Sequence, residues 1–483
     1  MNLLVVQRTL GILLMLFAVT MLPPLVVSFL FQDGNWAPFT GSFIAIALAG
    51  ALCWWPARNA RRDMRLRDGM LIVSLFWVVL GGAGAAPFLL SEAPRMGFTD
   101  AVFEAVSGFT TTGATVLSGL DSLSPSFLYY RQQIHWFGGM GIVVLAVAIL
   151  PMLGVGGLQL VKAESPGPVK DAKLSPRIIQ TAKALWGVYV VLTAVCTVAY
   201  WLAGMSFFDA LGHAYSTIST GGFSTHDMSI AFYESGPIEV IAMIFMFLGG
   251  ANFALHFLAW RGRGVGTYSR DPEFRAYTGI LATLIAFYAV TLWLTGTEDG
   301  VGASIMASAF QAISIQTSTG FLTEDFSLWP GAIPAMLMMS TFLGGCAGST
   351  GGGMKVVRWL LIGKQIGHEV RQLVHPRAVM SLKLGQRTVD GNVLGAVRAF
   401  VTLYFALLIV LSLVLLGTGV DVTTAFSAIA TCMSNTGPGL GQVVWTFATL
   451  STAGKWISVL AMLLGRLEIF PLFLLIVPEF WRR

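Results

Sequence analysis

Four stretches decide the fold: TDAVFEAVSGFTTTGAT (residues 99–115), FDALGHAYSTISTGGFST (208–225), SIMASAFQAISIQTSTGFLT (304–323) and DVTTAFSAIATCMSNTGPGL (421–440). Each reads as a mildly amphipathic segment, a run of Ser and Thr, and a glycine, and each follows a long apolar run. The glycines Gly113, Gly222, Gly320 and Gly437 align, 109, 98 and 117 residues apart. A repeat of this kind, covering most of the chain after residue 68, has to be recognised before single elements are assigned.

The amphipathic segments are too short to cross a bilayer, which takes ~20 residues of helix. Irregular backbone at membrane depth survives only where it lines a watery cavity or is buried in protein. Each copy therefore reads as a re-entrant helix and loop. Asp100, Asp209 and Asp421 at the start of three segments, and Asp299 before the other, suit N-caps on helices entering from one side. Four negative helix ends meeting on one axis, each followed by inward-turned carbonyls, make a cation site without a charged side chain. Glycine supplies the one backbone conformation that a side chain resists. Any single Ser-Thr-Gly string also suits close packing between helices, but four copies in equivalent places argue for the pore.

Composition agrees. The 483 residues are 55% hydrophobic and 11% charged, with a mean hydropathy of +0.75, far from the ~25% charge of soluble domains. Apolar runs at 3–29, 142–155, 238–257, 277–294 and 399–416 are the clearest of about ten expected spans. The first contains Pro23-Pro24 and lacks a small-residue cleavage site before Asp33, so it reads as a retained span rather than a signal peptide.

The net charge of +5 is segregated rather than diffuse, which points away from nucleic acid. Basic clusters occupy Arg58, Arg61, Arg62, Arg65 and Arg67; Lys162, Lys170, Lys173, Arg177 and Lys183; Arg261, Arg263, Arg270 and Arg275; and residues 364–398. The alternate connections carry mainly acids, Asp33, Glu92, Asp121, Asp227, Glu234, Glu298, Asp299, Glu324 and Asp325, against few bases such as Arg95 and Arg131. The positive-inside rule puts the basic connections and both termini in the cytoplasm. Cys53, Cys196, Cys346 and Cys432 show no metal-ligand spacing and read as buried thiols, and His135, His213 and His256 as packing residues.

The four strings, with YRQQIHWFGGMGIVVLAVAILPMLGVGG (130–157), GGFSTHD (221–227), RDPEFR (270–275), GGCAGSTGGGMKV (344–356), LVHPRAV (373–379) and GRLEIF (465–470), make the chain resemble the TrkH/KtrB superfamily of potassium transporters over essentially its full length. The resemblance implies an all-α membrane protein: two N-terminal helices (1–68), then pore repeats at 69–160, 161–270, 271–385 and 386–483 around a pseudo-fourfold axis. It also implies a homodimer in the bacterial inner membrane and a cytosolic nucleotide-binding regulatory partner of the TrkA type, built on RCK domains. Carried over position by position, the potassium contacts, mainly backbone carbonyls, fall on Thr111, Thr112, Gly113, Thr220, Gly221, Gly222, Ser318, Thr319, Gly320, Asn435, Thr436 and Gly437. Rubidium is the expected substitute ion. None of the strings reproduces the TVGYG of tetrameric potassium channels, so modest discrimination against sodium is expected.

Six glycines in GGCAGSTGGG make continuous helix improbable there. The string lacks the GxxxxGK[ST] order and preceding strand of a phosphate loop. Gly344, Gly345, Gly348, Ser349, Thr350, Gly351, Gly352 and Gly353 are therefore expected to form an intramembrane gating loop, against the alternative of a packing kink. Arg466, placed inside the last span, is a functional candidate because burying it is costly; it either sets an electrostatic barrier in the pore or pairs with a carbonyl. Glu104 either attracts cations or hydrogen-bonds behind the filter. No catalytic constellation is visible. The expected function is channel-like potassium uptake, with proton- or sodium-coupled symport as the alternative, which would call for buried acids at midplane. The clusters at 162–183 and 364–387 are either docking surfaces or solvated loops.

Overall fold

The computed structural model describes residues 2–60, 66–148, 176–377, 381–385 and 387–481. The expected boundary at 160/161, the basic residues Arg61, Arg62, Arg65, Lys162, Lys170 and Lys173, and parts of the strings at 130–157 and 373–379 lie outside these.

In lipid every backbone polar group must be satisfied within the protein, which leaves helices as the means of crossing for a chain patterned like this one. Helices α1 (Leu3–Val19) and α2 (Leu22–Phe31) form one apolar stretch of 29 residues, and α3 (Trp36–Ala57) returns beside it. Gly11 and Gly50 let these spans touch: a Cβ on Gly11 would lie 2.7 Å from the Gly50 carbonyl oxygen, and one on Gly50 would lie 2.8 Å from that of Gly11. Small residues at helix crossings perform this role in membranes, where no hydrophobic effect drives helices together.

The rest is four variations on span, short helix, loop and span. The first comprises α4 (Leu66–Ala83), α5 (Ala86–Leu90), the short α6 (Phe98–Phe109) and α7 (Pro125–Ala148). The second has α8 (Pro176–Leu202), the short α9 (Phe207–Ile218), α10 (Gly236–Gly249) and α11 (Phe253–Leu258), then α12 (Gly266–Arg270). The third has α13 (Pro272–Thr295), the short α14 (Val301–Gln316), α15 (Ile333–Ser340) and α16 (Val356–Val374). A two-stranded ribbon, β1 (Lys383–Leu384) with β2 (Arg387–Thr388), leads into α17 (Gly391–Leu416), the short α18 (Val422–Ser434), α19 (Thr452–Arg466), α20 (Phe470–Ile476) and α21 (Pro478–Trp481).

Burial runs opposite to that of a soluble protein. Leu48, Leu52, Leu413 and Val414 are exposed, whereas Ser107, Thr110, Ser216, Thr217, Ser314, Thr317, Thr431 and Ser434, at the ends of the short helices, are fully buried. The apolar surface meets lipid, and the polar side chains face inward.

Among the described residues, six spans are continuous enough and apolar enough to cross a membrane, and α10–α11, bent by 96°, makes a seventh. The other three of the ten expected correspond to α7 and to the interrupted pairs α15–α16 and α19–α20. Only the α15–α16 interruption is announced by a glycine run. The α10–α11 bend is held by Asn252, whose Oδ1 caps Ala254 N at 2.9 Å, and the α19–α20 break falls at Glu468 and Ile469, both with positive φ.

The helix starts correct the sequence reading in part. Asp421 does cap α18, accepting from Thr424 N at 2.9 Å. In α9, however, Ser206 is the cap and Asp209 the residue it receives from, at 3.0 Å. Asp100 lies in the first turn of α6 and pairs with Lys455 at 2.7 Å, tying the first unit to the fourth, and Gly300 rather than Asp299 precedes α14. An acid in the first turn gains the same dipole interaction as a cap, so the residue type was right and its position was not.

The α1–α3 contact yields a direct test. Gly50→Leu should destabilise the detergent-solubilised protein by about 1–3 kcal/mol, the usual cost of overpacking, seen as a lowered Tm; an unchanged Tm would mean that these spans do not meet at Gly11 and Gly50.

Candidate functional site: a four-sided ring above a glycine loop

The short helices end alike. In each, the residue after the last turn has left-handed φ: Thr111 (51°), Thr220 (50°), Ser318 (60°) and Asn435 (52°). Its N–H bonds three residues back, to Gly108, Thr217, Ile315 and Cys432. The next N–H, on Thr112, Gly221, Thr319 and Thr436, reaches five residues back to Ser107, Ser216, Ser314 and Thr431 at 2.8 to 2.9 Å. This is the Schellman ending, repeated four times, but with Thr, Ser or Asn where glycine is usual. One residue further on, Gly113, Gly222, Gly320 and Gly437 have φ of 80°, 82°, 80° and 98°.

The strings therefore contain two left-handed positions, not one. Only the second was legible as glycine; the first falls on non-glycine residues, which adopt that region at a cost of order 1–3 kcal/mol unless the surroundings hold them there. Alternating left- and right-handed backbone turns neighbouring peptides toward the same side instead of opposite sides, the geometry that gathers main-chain dipoles around an ion.

The four strings close into a ring. A Cβ on Gly113 would fall on the carbonyl oxygen of Gly221, one on Gly222 on that of Thr319, and one on Gly320 on that of Thr436. One on Gly437 would come within 2.8 Å of the Thr112 oxygen. Each glycine abuts the carbonyl of the next unit's string, and the fourth returns to the first. A single cavity is lined by all four glycines. Gly221, the odd residue among the middle positions, is explained by His135: a Cβ there would strike its ring, which stacks on Phe223 at 4.0 Å.

Behind the ring, equivalent positions of three short helices brace the segment that follows the glycine. Glu104 accepts from Thr115 Oγ1 at 2.9 Å and Val116 N at 3.0 Å, and pairs with Arg131 at 2.8 Å, both side chains essentially inaccessible. His213 meets Ser224 Oγ at 2.9 Å, and Gln311 donates to Thr323 Oγ1 at 3.3 Å. Arg131 also donates to the Ser224 carbonyl at 3.2 Å and lies over the Phe223 ring at 4.2 Å, joining the first unit to the second. Of the two roles open to Glu104, the bracing one describes its surroundings. Arg131, counted from sequence among the few bases of the acidic connections, lies instead within α7, and the signal for that place is a charge in YRQQIHW leading into an apolar run.

Gly344, Gly345, Gly348, Ser349, Thr350, Gly351, Gly352 and Gly353 form the connection between α15 and α16, seated against the C-terminal ends of the short helices. Thr350 Oγ1 donates to the Ile218 carbonyl at 2.9 Å. Gly353 N donates to Ser434 O at 2.9 Å, and Gly352 N donates to Ser318 Oγ. A Cβ on Gly351 would be 2.8 Å from the Thr317 oxygen, and one on Gly352 would overlap that of Ser434. Glycine is required here by proximity, and at Gly344, Gly348 and Gly353 also by positive φ.

Arg466 is the last residue of α19, so it stands at a break and not within a continuous helix. Its Nη2 donates to Thr111 Oγ1 at 2.6 Å and its Nη1 to the Thr350 carbonyl at 3.3 Å. It thus bridges the ring to the loop. Glu468, just beyond the break, pairs with Arg358 at 2.6 Å. A second cation that sequence reading missed, Lys355 at positive φ, donates to the Gly351 carbonyl.

His213 and His256 make hydrogen bonds through both ring nitrogens, and all four cysteines are free thiols. Among the described residues no group of His, Cys, Asp or Glu has metal-holding geometry.

Comparisons with known proteins agree with this architecture. A family model described as TrkH, cation transport protein, matches residues 37–483. The Trk system potassium uptake protein TrkH of Halomonas elongata is 49% identical over 483 residues, all of both chains. That of Salmonella typhimurium is 48% identical over 477 residues, 99% of each, and TrkG of Escherichia coli K12 is 39% identical over 478 residues, 99% of this chain and 98% of the relative. The crystal structure of the potassium transporter TrkH from Vibrio parahaemolyticus superposes with a TM-score of 0.93 at 45% identity, covering both chains in full. With its ring of four repeats and these matches along its whole length, the chain belongs to the TrkH family of membrane cation transport proteins.

Proposed function

We propose that this chain conducts potassium into a bacterial cell as the pore-forming subunit of an uptake system, through a filter of main-chain carbonyls on Thr111, Thr112, Gly113, Thr220, Gly221, Gly222, Ser318, Thr319, Gly320, Asn435, Thr436 and Gly437. The observation that carries the reading is the cyclic contact of the four glycines, each against the next string's carbonyl. Carbonyl rings replace the hydration shell of a monovalent cation. Membership of a family whose relatives are potassium uptake proteins supports potassium as the ion and rubidium as its substitute. The buried carboxylate behind the ring, Glu104, is held by Arg131, which favours passive conduction over proton-coupled symport.

The same reading makes the loop Gly344, Gly345, Gly348, Ser349, Thr350, Gly351, Gly352 and Gly353, with Arg466, the gate. It keeps the two-helix N-terminal part (1–68) and the four pore units at 69–160, 161–270, 271–385 and 386–483. It orients the basic connections and both termini toward the cytoplasm of the inner membrane, and includes a homodimer regulated by a TrkA-like nucleotide-binding subunit. Segregated charge supports the orientation, and family membership supports the assembly.

Two outcomes check this in proteoliposomes. Removing residues 349–352 should raise rubidium influx in the absence of a regulatory subunit by about tenfold or more, the effect of losing ~1.4 kcal/mol of closure; unchanged influx in a folded protein would contradict the gate. Gly320→Ala, which pushes a methyl onto the Thr436 carbonyl and holds alanine at φ 80°, should lower rubidium influx about tenfold or more given strain of 1–3 kcal/mol. Full influx in that variant would contradict the ring.

A further inference from the structure

A loop made mostly of glycine has few side chains with which to hold its place, so its position depends on what accepts its backbone N–H groups. Several of those acceptors are neutral carbonyls: Gly250 O receives Cys346 N at 2.8 Å, Gly249 O receives Thr350 N at 3.3 Å, and Ser434 O receives Gly353 N at 2.9 Å. One acceptor is a carboxyl oxygen. Glu273 Oε1 receives Ala347 N at 2.7 Å and Val357 N at 3.1 Å. A single carboxyl oxygen therefore holds the loop from within, at Ala347, and the first turn of α16, at Val357, ten residues apart in the chain.

Glu273 belongs to RDPEFR, a string that neither the filter nor the gate accounts for. Asp271 caps α13 through Phe274 N at 2.8 Å, which fixes the first turn and aims Glu273 inward, where it is 8% exposed. Tyr277, one turn on, packs with Cys346 and Val356, the neighbours of the gripped residues. Immediately before α13 lie α12 and the basic segment with Arg261 and Arg270, so the same turn adjoins a connection expected at the cytoplasmic face.

We infer that Glu273 is the positioning residue that latches the glycine loop beneath the filter, and that its two backbone contacts are released together when the loop leaves. The inference rests on the gate reading proposed above. The two bonds share one acceptor atom, so displacing the first turn of α13 breaks both. Motion at the neighbouring basic connection thereby reaches the loop without passing through the filter.

The test is rubidium influx into proteoliposomes holding the full chain without a regulatory subunit. Glu273→Ala should raise influx about tenfold, the order expected for losing two buried hydrogen bonds to the resting loop. Glu273→Gln keeps a carbonyl oxygen in place and should stay within about threefold of the unsubstituted protein. Combined with removal of residues 349–352, Glu273→Ala should add nothing to the influx of that deletion. Wild-type influx in a monodisperse Glu273→Ala protein would overturn the latch, as would equal increases in the Ala and Gln variants or an additive effect on the deletion. Should the Ala variant fail to fold, Glu273→Asp, whose carboxylate falls short of both amides, takes its place with the same expectation. A deletion that raises influx while Glu273→Ala does not would sink the latch and spare the gate; a deletion without effect would sink the gate itself.

Discussion

Main-chain carbonyls can replace an ion's water only if they point at it, and a regular helix or strand does not allow that. The structure ends four short helices in the same left-handed turn and presses each following glycine against the next unit's carbonyl, the arrangement on which the proposed filter depends. Much of the rest follows. Left-handed Thr111, Thr220, Ser318 and Asn435 are unfavourable alone, so the Schellman bonds and the braces at Glu104, His213 and Gln311 hold them in place. The apolar spans supply a wall around a polar interior that could not otherwise exist at membrane depth.

The four units are alike at the ring and unequal below it. The first unit keeps α7 continuous through the described residues, with the Glu104–Arg131 pair joining it to the second. In the other three the second span is broken, and all three breaks meet at the glycine loop: the α10–α11 bend offers Gly249 and Gly250 carbonyls, the α15–α16 connection is the loop itself, and the α19–α20 break presents Arg466. Arg358 with Glu468 fastens the helix after the loop to the last break. The symmetry of the ring is thus preserved above, while asymmetry below gathers two cations, Arg466 and Lys355, at the loop.

The repeat, the ten spans and the ring positions were legible because periodic glycines and long apolar runs are local signals that survive without coordinates. Gly113, Gly222, Gly320 and Gly437 could be aligned by eye, and the loop by its six glycines. The breaks at Asn252 and Glu468 carry weaker signals, the pair Gly249-Gly250 and Gly465 with Pro471, and tertiary contacts decide where each helix stops. The left-handed Thr111, Thr220 and Ser318 were invisible because propensity argues against that backbone for Thr and Ser. Arg131 and Lys355 were present as charges in apolar or glycine-rich settings and Glu273 within the charged RDPEFR, but the partners of Arg131 and Glu273 lie 16 to 93 residues away and that of Lys355 in a turn whose shape no pattern encodes.

The central claim is that a dehydrated monovalent cation rests among the carbonyls of the four strings. Anomalous diffraction from crystals grown in rubidium tests it most directly. The account predicts a peak on the axis enclosed by Gly113, Gly222, Gly320 and Gly437, in contact with main-chain oxygens of all four units; rubidium bound only elsewhere, with this ring empty, would contradict it.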